Sequence, residues 1–184
     1  MGKSCLRLTY CSGMLGDTTT WLERRESMDS EPKLYFLRAE NEFLMANIDL
    51  RVSTDAKVKE ILGIQKEKTF FSSVITHAYY SIFYSAKAYL ISKEIKTEPP
   101  EEHKKTYIEF SKLVNKGVIS KELFRLYEDE ALKAEALLRI FRIEKKKRGF
   151  FTYNIKSESN LPYAKESVEN AKRFTSTIKA MLGF

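Results

Sequence analysis

From Ser30 to the C-terminus, apolar residues recur every three or four positions, and strand signals are absent. That spacing is the mark of amphipathic helices, each with one face to hide. A helix with one apolar stripe must bury it against another element, and with no sheet to pack on, the partners are other helices. The pattern therefore predicts an all-α fold, an up-and-down bundle of four to five helices.

The elements can be placed one by one. Ser30 is a capping residue before Glu31-Pro32, and a proline is tolerated in a first helical turn. The first helix then carries Phe36, Ala39, Phe43, Ala46 and Leu50 to near Val52, and a short amphipathic piece, VKEILGI, follows. A second helix is expected from about Lys68 to Glu94. The Pro99-Pro100 break precedes a third helix, which opens on Glu101 and Glu102 and stops at Asn115-Lys116-Gly117. Glycine there is a good C-terminal cap. Ser120 caps a long fourth helix, about Lys121 to Lys147, with Leu123, Tyr127, Ala134, Leu138 and Phe141 inward. Asn160 and Pro162 open the last helix, whose stripe is Ala164, Val168, Ala171, Phe174, Ile178 and Met181. Residues 1–29 lack a helical period and are read as an N-terminal extension, poorly ordered or folded as a short hairpin around CLRLTYCSGML. Residues 30–184 carry the bundle.

The most unusual segment is HAYYSIFYSAKAYL, residues 77–90. It has four tyrosines, a phenylalanine, several small residues and one charge, Lys87. Phe71, Ile75, Ala78, Ile82 and Tyr89 form one line on this helix, and Ala78, Ser81, Ser85 and Ala88 form another. Small side chains let a second helix approach to about 8 Å between axes. A helix apolar around most of its circumference is the central helix of its bundle, and buried tyrosines there need hydroxyl partners.

Composition narrows the function classes. The two cysteines, Cys5 and Cys11, lie six apart with no histidine beside them, which does not make a zinc site. They are read as reduced thiols of a cytoplasmic protein. No apolar run reaches about 18 residues, so no transmembrane helix is expected, and neither a secretory signal nor a myristoylation motif is present. Phosphate-loop, dinucleotide, zincin and CxxC signatures are missing, and no metal or cofactor is expected. The formal net charge of +7 favours phosphate-bearing partners.

The sharpest chemical feature is the end of the fourth helix: Arg139, Arg142, Lys145, Lys146, Lys147 and Arg148. Arg139, Arg142 and Lys146 share one face by spacing. Cations suit a helix C-terminus by its dipole alone, and they also make a phosphate cradle in which a guanidinium binds bidentately. Phe150, Phe151 and Tyr153 follow at once. Such rings can stack on bases or plug the end of the bundle. Of the two histidines, His77 reads as a satisfied structural residue. His103 stands in the first turn of the third helix, where the dipole favours neutral imidazole, and it reads equally as a cap or a site residue.

The segments LYFLRAENEFLMA, THAYYSIFYSAKAYLISK, EEHKKTYIEFSKLVNKGVIS and RGFFTYNIKSESNLPYAKESVENAKRFTSTI, taken in order, resemble the HEPN domain over about residues 31–182. The resemblance implies a helical bundle that forms a homodimer, with two copies of an arginine–histidine motif meeting in a cleft between protomers. Many such domains are metal-independent endoribonucleases, often toxins, and many pair with a small nucleotidyltransferase; others bind nucleotides. Arg148 matches the motif arginine. The histidine position holds Tyr153, Gly149 follows the arginine, and Thr152 stands where one branch has aspartate. A tyrosine with a pKa near 10 is a poor general base at neutral pH. The resemblance therefore implies a protein that binds nucleotide or RNA in a dimer cleft, as the partner of a nucleotidyltransferase in a toxin-antitoxin-like pair. Arg148, Arg139, Arg142, Lys146 and Tyr153 would line that site. The alternative is a metal-independent ribonuclease in which Arg148 stabilises the phosphorane charge and His103 or Tyr153 handles the proton.

Overall fold

The computed structural model describes residues 18–147 and 161–184, with side chains over 31–136 and 161–184. The described residues are helical and contain no strand. The helices are α1 (Thr18–Thr54), α2 (Ala56–Ile61), α3 (Phe71–Ser92), α4 (Glu102–Asn115), α5 (Lys121–Lys147) and α6 (Leu161–Leu182). They pack as an all-α bundle. Helix α3 is its centre, touching α1, α4, α5 and α6, while α6 also packs on α1 and α5.

The central position of α3 follows from its residues. Phe71, Ile75, Ala78, Ile82 and Tyr89 are buried, and so are Ser81, Ser85 and Ala88. The small line faces α6. Ser81 Oγ and Ser85 Oγ lie 3.1 and 3.2 Å from the Thr175 hydroxyl, so the polar atoms that close packing brings inside are paired with one another. Phe110 of α4 sits in a ring cluster with Tyr89, Phe124, Tyr127 and Phe174, which ties four helices together. Burying each such ring is worth about 1.5–3 kcal/mol.

Most boundaries fall where local chemistry places them. The Ser120 hydroxyl accepts the Leu123 amide at 3.1 Å and caps α5. Gly117 ends α4 at a φ of +71°, a left-handed conformation that costs glycine little. Asp55 caps α2 by accepting the amides of Lys57 and Val58.

The start of α1 differs from expectation. Ser30 and Pro32 lie inside the helix, which begins at Thr18. Residues 18–29 are helical where poor order or a hairpin was expected, and the hairpin segment before them lies outside the described residues. TTTWLERRESMDS contains leucine, methionine, glutamate and arginine, all good helix formers. Proline in a helix interior removes one hydrogen bond, and Pro32 is buried, so packing outweighs the local start signal.

On the buried side of α1 lie Phe36, Ala39 and Ala46, with Phe43 and Leu50 partly buried. The opposite side carries Leu34, Leu37, Leu44, Met45 and Ile48, all exposed.

Candidate functional site

Three helices contribute ring-bearing turns to one groove. Helix α3 supplies Tyr79 and Tyr80, α4 supplies His103, Lys104 and Tyr107, and α5 supplies Tyr127, Ala131, Ala134 and Glu135. The α5 set, and His103 with Tyr107 on α4, follow helical spacing and so lie along one side of their helices. The alanines of α5 leave room between the rings, and the cavity measures about 440 Å³. That size falls in the range of small-molecule sites.

His103 is at the centre of the polar chemistry. Its ring stacks on Phe83 at 3.9 Å between centroids and meets Tyr80 edge-on at 5.7 Å. The Tyr79 hydroxyl and His103 Nδ1 are hydrogen-bonded at 2.9 Å; either neutral tautomer of the imidazole satisfies this bond. Loss of solvent against these rings lowers the His103 pKa below its usual 6.5, and the nearby Lys87 ammonium adds to the effect. The direction is the one read from the sequence, with burial as the first cause and Lys87 as the second. Burial also pushes the Tyr79 phenol up to about 12, with Tyr80 contributing.

Lys87 explains itself in this setting. The single charge of HAYYSIFYSAKAYL is buried, forms an ion pair with Glu102, and lies 4.3 Å above the Tyr35 ring. It joins α3 to the first turn of α4 and so fixes the residue next to His103.

The floor of the groove is less settled. Tyr127 is only 1% exposed, and its hydroxyl has no partner among the described residues. The hydroxyl of neighbouring Tyr107 donates to Glu128 at 2.6 Å. One helical step from Tyr127, Glu130 is fully buried. It accepts from Lys133 and Asn170, each at 2.9 Å.

The sequence-predicted residues divide as follows. His103 is in the groove. Arg139, Arg142 and Lys146 fall within α5, and helical spacing sets their positions along the side that carries Ala131 and Glu135. Arg148 and Tyr153 lie outside the described residues, as do the Asn160 cap and the rings Phe150 and Phe151. His77 is held by Glu42, whose carboxylate lies 2.6 Å from Nδ1, and Asp49 stands 3.9 Å from Nε2. Asp49 in turn accepts from Ser73 at 2.5 Å. This polar cluster clamps α1 to α3, the structural role expected for it. Among the described residues no group of three histidine, cysteine or carboxylate side chains is placed to hold a metal ion, and no helix is long and apolar enough to cross a membrane.

Sequence reading missed the groove as an ensemble. Tyr79, Tyr107 and Tyr127 each look like core residues within their own helices, and their convergence is a property of packing. The signal in the sequence was the surplus of hydroxyl-bearing rings, assigned there to core and interface. Comparison with family models, curated proteins and solved structures returned no match.

Proposed function

We propose that this chain binds a nucleotide or RNA. The supporting observation is the groove itself: tyrosine rings and a neutral histidine around a small-molecule-sized cavity, with Lys104 at its edge. Flat, mainly apolar walls suit base stacking, which every base can provide. The cationic positions further along α5 suit the phosphate that accompanies a base. The reading takes the site to be the groove of one chain, with Arg139, Arg142, Lys146, Arg148 and Tyr153 as its extension towards phosphate. The HEPN resemblance adds a homodimer and a small nucleotidyltransferase partner to the proposal, and the reading of Cys5 and Cys11 as reduced thiols adds a cytoplasmic setting.

A second reading, the metal-independent endoribonuclease, is favoured by one observation. An imidazole whose neutral form is favoured is suited to proton transfer, and burial beside Lys87 shifts His103 in that direction. Arg148 would then stabilise charge on phosphorus.

Fluorescence anisotropy with a labelled single-stranded RNA tests the binding reading. Saturable binding that weakens steeply between low and moderate salt, and falls about tenfold or more with Tyr80→Ala, is expected. Equal binding by wild type and Tyr80→Ala would refute the groove as the site. Incubation of the same RNA in a chelator separates the readings: intact RNA supports binding alone, and cleavage lost in His103→Ala supports the ribonuclease.

A further inference from the structure

Among the described residues the outer side of α1 has no partner, although its side chains are of the type that wants one. Leu34 is 64% exposed and Ile48 43%, with Leu37, Leu44 and Met45 similar. Scattered surface leucines are ordinary, but these five share one stripe, opposite the side buried on α3. Their spacing is more informative than their number. Leu34, Leu37, Asn41, Leu44 and Ile48 follow one another at intervals of three, four, three and four. Written as heptads, Leu34, Asn41 and Ile48 take the a positions, and Leu37 and Leu44 the d positions. A 3.5-residue repeat is the pattern of a helix that pairs with another helix rather than one that lies on a broad surface.

The pattern also selects the occupant. Both d positions hold leucine, Ile48 is the one β-branched residue among the three a positions, and the lone asparagine at a is the residue that sets register and strand number in two-stranded parallel coils. An asparagine buried in an apolar seam needs a partner that offers both a donor and an acceptor at the same level. A second copy in parallel register supplies one automatically, because Asn41 then meets Asn41 while each leucine meets its own copy. An unrelated apolar helix would leave the amide stranded, at a cost.

We infer that two chains associate through the outer side of α1, as a short parallel two-stranded coiled coil centred on Asn41. This gives a surface to the homodimer in the proposed reading, and it stands or falls independently of nucleotide binding. It also goes beyond the resemblance, which expects a single cleft shared between protomers. None of the residues lining the aromatic groove comes from α1, so pairing through α1 leaves each groove uncovered and gives the dimer two separate sites.

The test uses the full chain with Cys5→Ser and Cys11→Ser as background. Light scattering is expected to give twice the 21.4 kDa of one chain, and one chain mass for Leu37→Asp with Leu44→Asp, with helical content unchanged in circular dichroism. Single cysteines read the register. Leu37→Cys and Leu44→Cys are each expected to form a covalent dimer on mild oxidation, while Lys57→Cys on α2 is not. A wild-type mass of one chain would overturn the inference. A disulfide that forms only when Leu37→Cys and Leu44→Cys chains are mixed would also overturn it, because that pairing is antiparallel. Loss of RNA binding with the dimer intact would overturn the functional proposal and leave this one standing.

Discussion

Replacing Lys87 with methionine tests the centre of the site and the stability of the fold together. Lys87 is buried and ion-paired with Glu102, whose side chain keeps 26% of its exposure. Breaking a buried pair by removing one member typically costs about 3–5 kcal/mol, because the other charge is left unpaired. Glu102 can recover part of that through its exposed edge, and methionine keeps much of the packing of the lysine stem. The expected loss is therefore below that range, about 2 kcal/mol, seen in urea unfolding as a lower midpoint with an unchanged slope. In a chain of 184 residues this corresponds to a fall of roughly 4–8 °C in Tm. Adding Glu102→Gln to Lys87→Met should recover much of the loss, since no charge is then stranded, and the cycle isolates the pair energy. The second readout is His103. The Lys87 ammonium helps to lower its pKa, so removing that charge should raise the imidazole pKa towards 6.5, followed by NMR titration of the ring protons. Unchanged stability together with an unchanged His103 titration would refute the reasoning, because it would mean that Lys87 is solvated and distant from the ring.

Two further outcomes follow from the core and from pH. Phe110→Ala removes a fully buried ring in contact with three other helices, and equilibrium unfolding should show a loss of about 3–5 kcal/mol; a loss below 1 kcal/mol would contradict the packing described. For His103, the folded chain holds the pKa below the usual 6.5, so the unfolded chain takes up the proton more readily. Stability should be unaffected by this group above about pH 6.5 and should fall as the pH drops below it. That portion of the acid sensitivity should vanish in His103→Phe, as measured by thermal unfolding across pH 5–7.

The bundle was legible in the sequence to the extent that its signals are local. The small line Ala78, Ser81, Ser85 and Ala88 is buried as expected, and Ser120 and Gly117 do mark helix ends. The beginning of α1 was not legible, because Ser30-Glu31-Pro32 satisfies every local rule for a helix start and only tertiary burial of Pro32 overrides it. Glu130 was missed for a related reason. It stands on the same stripe as Tyr127 and Ala134 but is charged, so a pattern of apolar residues skips it, although Lys133 and Asn170 satisfy one of its oxygens inside. Of the candidate site, His103 could be singled out by its place after the Pro-Pro break. The groove around it could not, because its walls come from three helices widely separated in the chain. The Lys87–Glu102 pair bridges two helices in the same way.

The three hydroxyls of Ser81, Ser85 and Thr175 have a consequence for how α6 finds its place. An apolar seam between two helices tolerates sliding, because one methyl group serves much like another. Here the seam is indexed. Moving α6 along α3 by one turn, about 5.4 Å, would present Ala171 or Ile178 to the two serines in place of Thr175. Both serine hydroxyls would lose their partner in a buried site, and the Thr175 hydroxyl would be driven against hydrocarbon. Helix α6 thus docks at a single notch. Substitutions that make this seam greasier, such as Ser81→Ala with Thr175→Val, would leave the bundle helical but free to settle in more than one alignment.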